Sequence, residues 1–203
     1  MPITHPKPPE GGAEIASNSI DQILRSQPPS STRILSDART EDMALAEPHQ
    51  TYVVGLADIA SGKLLEAARL ASWRYLVIQE PDAVAEVELS VGEEAAKREF
   101  LGLHQGPFAN ETLVALRVAE NLPEVKKKSF ELRFLKIPAL YFAALWLARS
   151  KEDIILPLHE PPAGLKANQP YSEKEILKAL KAPAVRTQQF DKGFEKTQGN
   201  PPK

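Results

Sequence analysis

Ser72-Trp73-Arg74-Tyr75-Leu76-Val77-Ile78-Gln79 and Ala83-Val84-Ala85-Glu86-Val87-Glu88-Leu89-Ser90, separated by Glu80-Pro81-Asp82, decide how this chain is read. Both runs are rich in β-branched and aromatic residues, and a Pro-Asp pair between them favours a turn, so the stretch predicts a β-hairpin. In the second run Val84, Glu86 and Glu88 share one face, and Ala83, Ala85, Val87 and Leu89 share the other. That alternation predicts one solvated and one buried face.

Working outward, 92–97 reads as a charged loop and 98–105 as a third strand. Gly106-Pro107 stops that strand, because proline cannot donate to a sheet ladder. From Asn110, a suitable helix N-cap, Leu113, Leu116, Val118, Ala119 and Leu122 recur at helical spacing opposite Glu111, Arg117, Glu120 and Asn121, until Pro123. Residues 130–137 alternate imperfectly as a further strand. The run 138–148 is ambiguous: Pro138, Ala139, Ala143, Ala144 and Leu145 suit a helix, whereas Tyr141, Phe142 and Trp146 favour a sheet. The preferred reading is a strand bent or bulged at Pro138 that turns at 150–153 and pairs with 154–158. After a proline-rich loop at 160–170, Ser172 and Glu175 form a capping box and Tyr171 staples onto Ile176. Leu177 and Leu180 continue that helix, which Pro183 is expected to close. Upstream of the hairpin, 51–54 is extended and 58–70 a short helix.

Residues 1–48 hold seven of the chain's 18 prolines, including the Pro28-Pro29-Ser30-Ser31 tract, and bury too little apolar surface to offset the entropy of ordering them. Ile15, Ile20, Ile23 and Leu24 lie in a proline-free stretch of that segment, with Ser19 as N-cap of a helix over 20–26. Such a short helix is marginal in isolation, so it is expected to be transient or to form on a partner. The chain is polar after about residue 185 and ends Gly199-Asn200-Pro201-Pro202-Lys203. The expected organisation is a disordered tail at 1–48, one α+β domain at 49–183, and a disordered tail at 184–203. The domain is expected to have an antiparallel or mixed sheet backed by two or three helices.

The function classes narrow mainly by exclusion. With no cysteine there is no disulfide, no thiolate nucleophile and no cysteine-based metal site. A formal charge of −2 provides no field for a polyanion. The longest apolar run, 137–148, is about 12 residues, against about 20 needed to cross a bilayer. The first residues lack the basic start and apolar stretch of a secretory signal, so the expectation is a cytoplasmic protein without a membrane partner.

His5, His49, His104 and His159 share no metal-ligand spacing, so no metal residue is assigned. Glu86 and Glu88 read as a solvated strand face, and Glu93-Glu94 as loop charge. No serine stands in a G-x-S-x-G setting, and the glycines form neither a phosphate loop nor a dinucleotide fingerprint, so no catalytic or cofactor-binding residue is assigned either. Lys126-Lys127-Lys128 beside Phe130, with Arg133 and Lys136 beyond, has the ingredients of a nucleic-acid contact. Glu124 and Glu131 dilute it, and a solubilising turn is preferred.

The aromatic residues give the remaining lead. Trp73, Tyr75, Phe108, Tyr141 and Trp146, with His104, are the candidate pocket or interface, although most such residues are core. The expectation is a non-enzymatic protein-binding or assembly module that contacts another protein or itself and carries no cofactor. The alternative is a small α+β enzyme of hydrolase or lyase type with a pocket around Trp73, His104 and Trp146.

Several pieces also carry a resemblance: Trp73-Arg74-Tyr75-Leu76, Gly106-Pro107-Phe108, 131–135, 137–141, 144–147, 155–158, Pro161-Pro162-Ala163-Gly164-Leu165 and Tyr171-Ser172. Over about 51–181 the chain resembles a family of uncharacterised bacterial proteins. The resemblance implies a bacterial, intracellular domain whose middle is one unit, and it brings no activity, cofactor or catalytic residue.

Overall fold

The hairpin forms as its residue pattern requires: β3 (Arg69–Gln79) and β4 (Asp82–Leu89) pair antiparallel, with Gln79 opposite Asp82 and Arg74 opposite Glu88. The computed structural model describes residues 3–26, 43–92, 99–162 and 164–198. The 28–31 tract, the loop expected at 93–97, Arg98, Ala163 and the terminal 199–203 lie outside the described residues.

The fold is α+β, a mixed sheet of eight strands with three long and two short helices among the described residues. The order of elements is β1 (Ile3–Thr4), α1 (Gly12–Ser26), β2 (Ala44–Val53), α2 (Leu56–Ser61), β3, β4, β5 (Phe100–Gln105), α3 (Pro107–Glu120), α4 (Pro123–Lys127), β6 (Phe130–Ile137), β7 (Phe142–Ala148), β8 (Ile154–Pro157) and α5 (Glu173–Gln198). Across the sheet the strands run β5-β4-β3-β2-β6-β7-β8, and β1 also pairs with β6. The pairs β2–β6 and β1–β6 are parallel and the rest antiparallel.

Both faces are covered. On one, α1 lies over Trp73, Tyr75, Val87 and Leu89, while α2 and α5 lie over Leu135, Ile137, Trp146 and Ile155. On the other, α3 packs Ala109 and Leu113 on Leu76 and Ala83, and Ala115, Leu116 and Ala119 on Phe134, Leu145 and Leu156. The strand directions make β5 and β8 antiparallel margins, so their C-terminal ends would be diagonal corners of a flat sheet, about 29 Å apart across six strand spacings alone. Yet Phe108, just after β5, meets His159, just after β8, with ring centroids 6.0 Å apart. The twist of the sheet therefore draws these corners together on the α3 side, which is concave along this diagonal.

Four expectations change. The segment read as a disordered tail at 1–48 contributes β1, α1 and the first half of β2: Ile3 sits opposite Phe130, and Gly12, Ala16 and Ile20 form a buried stripe at four-residue spacing. Proline content masked that stripe, because the prolines flank the helix and do not enter it. The helix also starts not at Ser19 but at Gly12, whose backbone passes so close to Tyr75 that an added Cβ would lie 2.8 Å from its hydroxyl.

At the C-terminal end, α5 continues through Pro183 to Gln198, although the ring removes one helical hydrogen bond. Buried Ile176, Leu180 and Ala184 hold the helix on the sheet across the proline, so packing outweighs local propensity. The capping box does form, with Glu175 accepting from the Ser172 N–H at 2.8 Å. Third, α3 begins at Pro107 and not at Asn110, with proline in the first turn and Gly106 at φ +141° admitting the sharp exit from β5. Fourth, 142–148 is a strand, but Pro138 reverses the chain: a 3-10 turn at Pro138–Leu140 and left-handed Tyr141 make β6 and β7 a hairpin.

The docking of α1 sets a measurable cost. Ile20→Ala is expected to lower unfolding free energy by about 2–5 kcal/mol in urea titration, the range for truncating a buried aliphatic side chain. A cost below about 0.5 kcal/mol, as for a surface position, would contradict an ordered α1.

Candidate functional site

The concave face carries a polar cluster at the end where β2, β3, β4, β5 and β6 leave α3. Alternation along the strands puts Ser72 and Arg74 (β3), Glu86 and Glu88 (β4), and Gly102 and His104 (β5) on this face, and pairing aligns them: Arg74 opposite Glu88, Glu88 opposite Gly102, and Glu86 opposite His104. From β2 and β6 come His49, Thr51, Phe134 and Lys136. Glu86 and Glu88 are thus not a solvated face. Glu86 is 4% exposed, and Glu88 is largely covered, because β3 and β6 bring cations to them.

At the floor, Arg74 is 1% exposed and forms an ion pair with Glu86. Its guanidinium carbon lies 4.1 Å from the centroid of the Phe134 ring, a cation–π contact in a dry setting. Its Nε and Nη2 have no hydrogen-bond partner. Burial lowers its pKa, while Glu86 and Glu88 oppose the shift. His49 is fully buried beside it, donating from Nδ1 to the Glu47 carbonyl at 2.6 Å. Burial, reinforced by Arg74, pushes the His49 pKa down to about 3, so the ring is neutral.

Glu88 is the hub of the upper layer. It accepts a short hydrogen bond from the Ser72 hydroxyl, lies 3.2 Å from His104 Nε2 and 3.9 Å from Lys136 Nζ. Burial pushes its pKa up, but Ser72, Lys136, Arg74 and His104 together outweigh burial and hold it low. Burial, and then Arg74, lower the pKa of Lys136, against the pull of Glu88 and Glu86. The Lys136 side chain is 32% exposed and that of His104 54%, so the cluster opens to solvent at these two. Chemically it holds a carboxylate, an imidazole, a hydroxyl and an amine within reach of one another.

The residues named as a candidate pocket or interface fall on different parts of the molecule. Trp73 and Tyr75 stand together beneath α1, and Trp146 lies on the same face beneath α5, edge-on to Tyr52 and donating to Asp153. His104 is on the opposite, concave face. Phe108 is exposed at the start of α3 against His159, which pairs with Glu111 at 2.7 Å, and Tyr141 is 93% exposed at the β6–β7 turn. Phe130, offered as a stacking platform beside the lysine run, is core at 2% exposure. Among the described residues no group of three or more histidines and carboxylates is placed to hold a metal ion.

The open margin of the sheet is the second notable surface. At β8 the edge is closed: Tyr171 bridges Ile155, and the Asn168 N–H donates to the Pro157 carbonyl at 2.8 Å. At β5 no strand among the described residues pairs on the outer side, and Leu101 is 54% exposed. No family profile, curated protein or solved structure matches this chain.

Two outcomes are expected from the buried charges. Glu86→Gln should cost about 3–5 kcal/mol in urea titration by stranding Arg74, whereas Arg74→Met with Glu86→Leu should cost less than that single change. His49 links stability to pH. Between its folded value of about 3 and its unfolded value near 6.5, only the unfolded chain binds the proton, so stability falls as pH drops below about 6.5. The slope from this group approaches 1.4 kcal/mol per pH unit, and His49→Gln should remove that part of the slope in titrations between pH 7 and pH 4.

Proposed function

We propose that this protein is an assembly module whose self-association runs through β5. The observation that supports the reading is the contrast between the margins. Natural sheets blunt an exposed edge with lysine, proline, a bulge or a covering segment. Tyr171 and Asn168 cover β8, while Phe100-Leu101-Gly102-Leu103-His104-Gln105 contains no lysine, arginine, carboxylate or proline. Among the described residues the one such device on β5 is a register shift at Leu101 against β4, and the regular stretch beyond it, 102–105, suits antiparallel pairing with the same strand of a second copy, which closes the contact by two-fold symmetry. The reading needs no catalytic group; the cytoplasmic location proposed with it is compatible with a chain free of cysteine.

Among the described residues no helix is long and apolar enough to cross a membrane. The expected result in sedimentation velocity is a concentration-dependent dimer that Leu101→Lys shifts to monomer with an unchanged melting temperature. A wild-type chain that stays monomeric at 100-fold increasing concentration, up to about millimolar, would overturn the reading, since weak specific contacts still associate there.

A further inference from the structure

We infer that Lys136 is a nucleophilic amine that forms an imine with a small aldehyde or ketone entering the open end of the concave face. Lys136 is carried on β6 with its Nζ 5.9 Å from the Phe134 ring centroid, above a floor in which Arg74 is 1% exposed. Among the described residues one carboxylate lies within ion-pair range, Glu88 at 3.9 Å, at the outer limit of a salt bridge, and it is already engaged by Ser72 and His104. Lys63, in contrast, is 57% exposed and pairs within its own surface turn, and Lys128 binds Glu152 at 2.6 Å. An amine drawn out of water beside a fixed cation, with its nearest anion shared, retains less reason to hold a proton, and burial and Arg74 do lower its pKa.

The surrounding groups supply the proton transfers of the reaction. The unprotonated amine adds to the carbonyl carbon, forming a C–N bond as the π pair moves onto oxygen. The proton released from nitrogen passes to Glu88, which His104 holds through its 3.2 Å contact, and Glu88 returns that proton to the oxygen. The second N–H proton follows the same route through Glu88 to the oxygen as the C–O bond breaks and the C=N bond forms, so that an amine and a carbonyl compound give one imine and one water with no redox change. Arg74 and Glu86 balance each other beneath, Ser72 orients Glu88, and His49 stays neutral. Among the described residues these groups, with Glu88 and His104, are the titratable and charged neighbours that face the amine from β2, β3, β4 and β5.

The test uses the full-length protein, glyoxylate as the carbonyl probe and cyanoborohydride to reduce any imine to a stable secondary amine, with peptide mass spectrometry locating the adduct. Lys136 is expected to be labelled at least ten-fold faster than Lys126, Lys127 or Lys128, with a rate that reaches its plateau at lower pH than theirs. Glu88→Gln and His104→Gln should each slow Lys136 several-fold and leave Lys63 unchanged, which a general loss of structure would not do. Labelling of Lys136 no faster than of the exposed lysines, in a wild-type protein shown to be folded by its melting transition, overturns the inference. The readout is independent of association: a monomeric protein with a fast Lys136 sinks only the assembly reading.

Discussion

Burying the Arg74 guanidinium removes it from water at a cost of several kcal/mol, and the concave face is arranged so as to offset that cost. The hairpin register brings Glu86 and Glu88 to it from β4, and the parallel pairing of β2 with β6 sets the Phe134 ring 4.1 Å beneath the guanidinium carbon. Because side chains alternate across a strand, a slip of one residue in β3 would turn Arg74 out and bring Trp73 and Tyr75 in. Both faces of β3 therefore specify a single register, one by charge and the other by the aromatic contacts with α1. The same ion pair leaves Glu88 free to serve Ser72, His104 and Lys136, so the upper layer depends on the lower.

The irregularity of β2 is what lets the N-terminal segment join the sheet. Its pairing with β3 shifts between Ala46 and His49, where Glu47 has φ +51°, and its pairing with β6 begins only at Gln50. The first half of β6 would otherwise be an open edge inside the sheet. Ile3 and Thr4 fill it, opposite Phe130 and Glu131, and His5 ties them to β2 through the Pro48 carbonyl at 3.3 Å and Glu47 at 3.2 Å. His49 also spends its Nδ1 proton on the Glu47 carbonyl, so one bulge organises both the eighth strand and a wall of the polar cluster.

Local signals carried the hairpin, the capping box at Ser172 and Glu175, and the strand character of 142–148. In each, the deciding residues are neighbours in sequence. The helix α1 was obscured because its stripe, Gly12-Ala16-Ile20, uses two of the smallest residues, which read as polar-segment filler until a sheet stands against them. The polar cluster was obscured for a different reason. Its members come from five strands, and only their shared face unites them. One clue was present: Arg74 stands two residues from Leu76 and four from Ile78 on the same strand face, and the hairpin turn sets Glu88 directly across from it. A cation on an otherwise apolar face, opposite an acid, points to a buried pair. Of the aromatic residues, Trp73, Tyr75 and Trp146 do share a sheet face, and α1 and α5 divide it into two clusters that no local pattern separates.

The strand β5 belongs to both surfaces described above, and its alternation separates them. Gly102 and His104 face the concave side opposite Glu88 and Glu86, whereas Leu103 packs with Val87 toward α1. The outer hydrogen-bonding edge lies in the plane of the sheet, perpendicular to both sets of side chains. A strand added there extends the wall of the polar cluster beyond His104, which at 54% exposure has nothing beside it on that margin among the described residues to keep water away. Covering that side of the imidazole lowers the local dielectric around Glu88 and Lys136, and electrostatic interactions among the three strengthen accordingly. The proposed association at β5 and the proposed chemistry of the amine thus share one strand: the side chain that lines the mouth of the cluster stands on the strand that presents the edge.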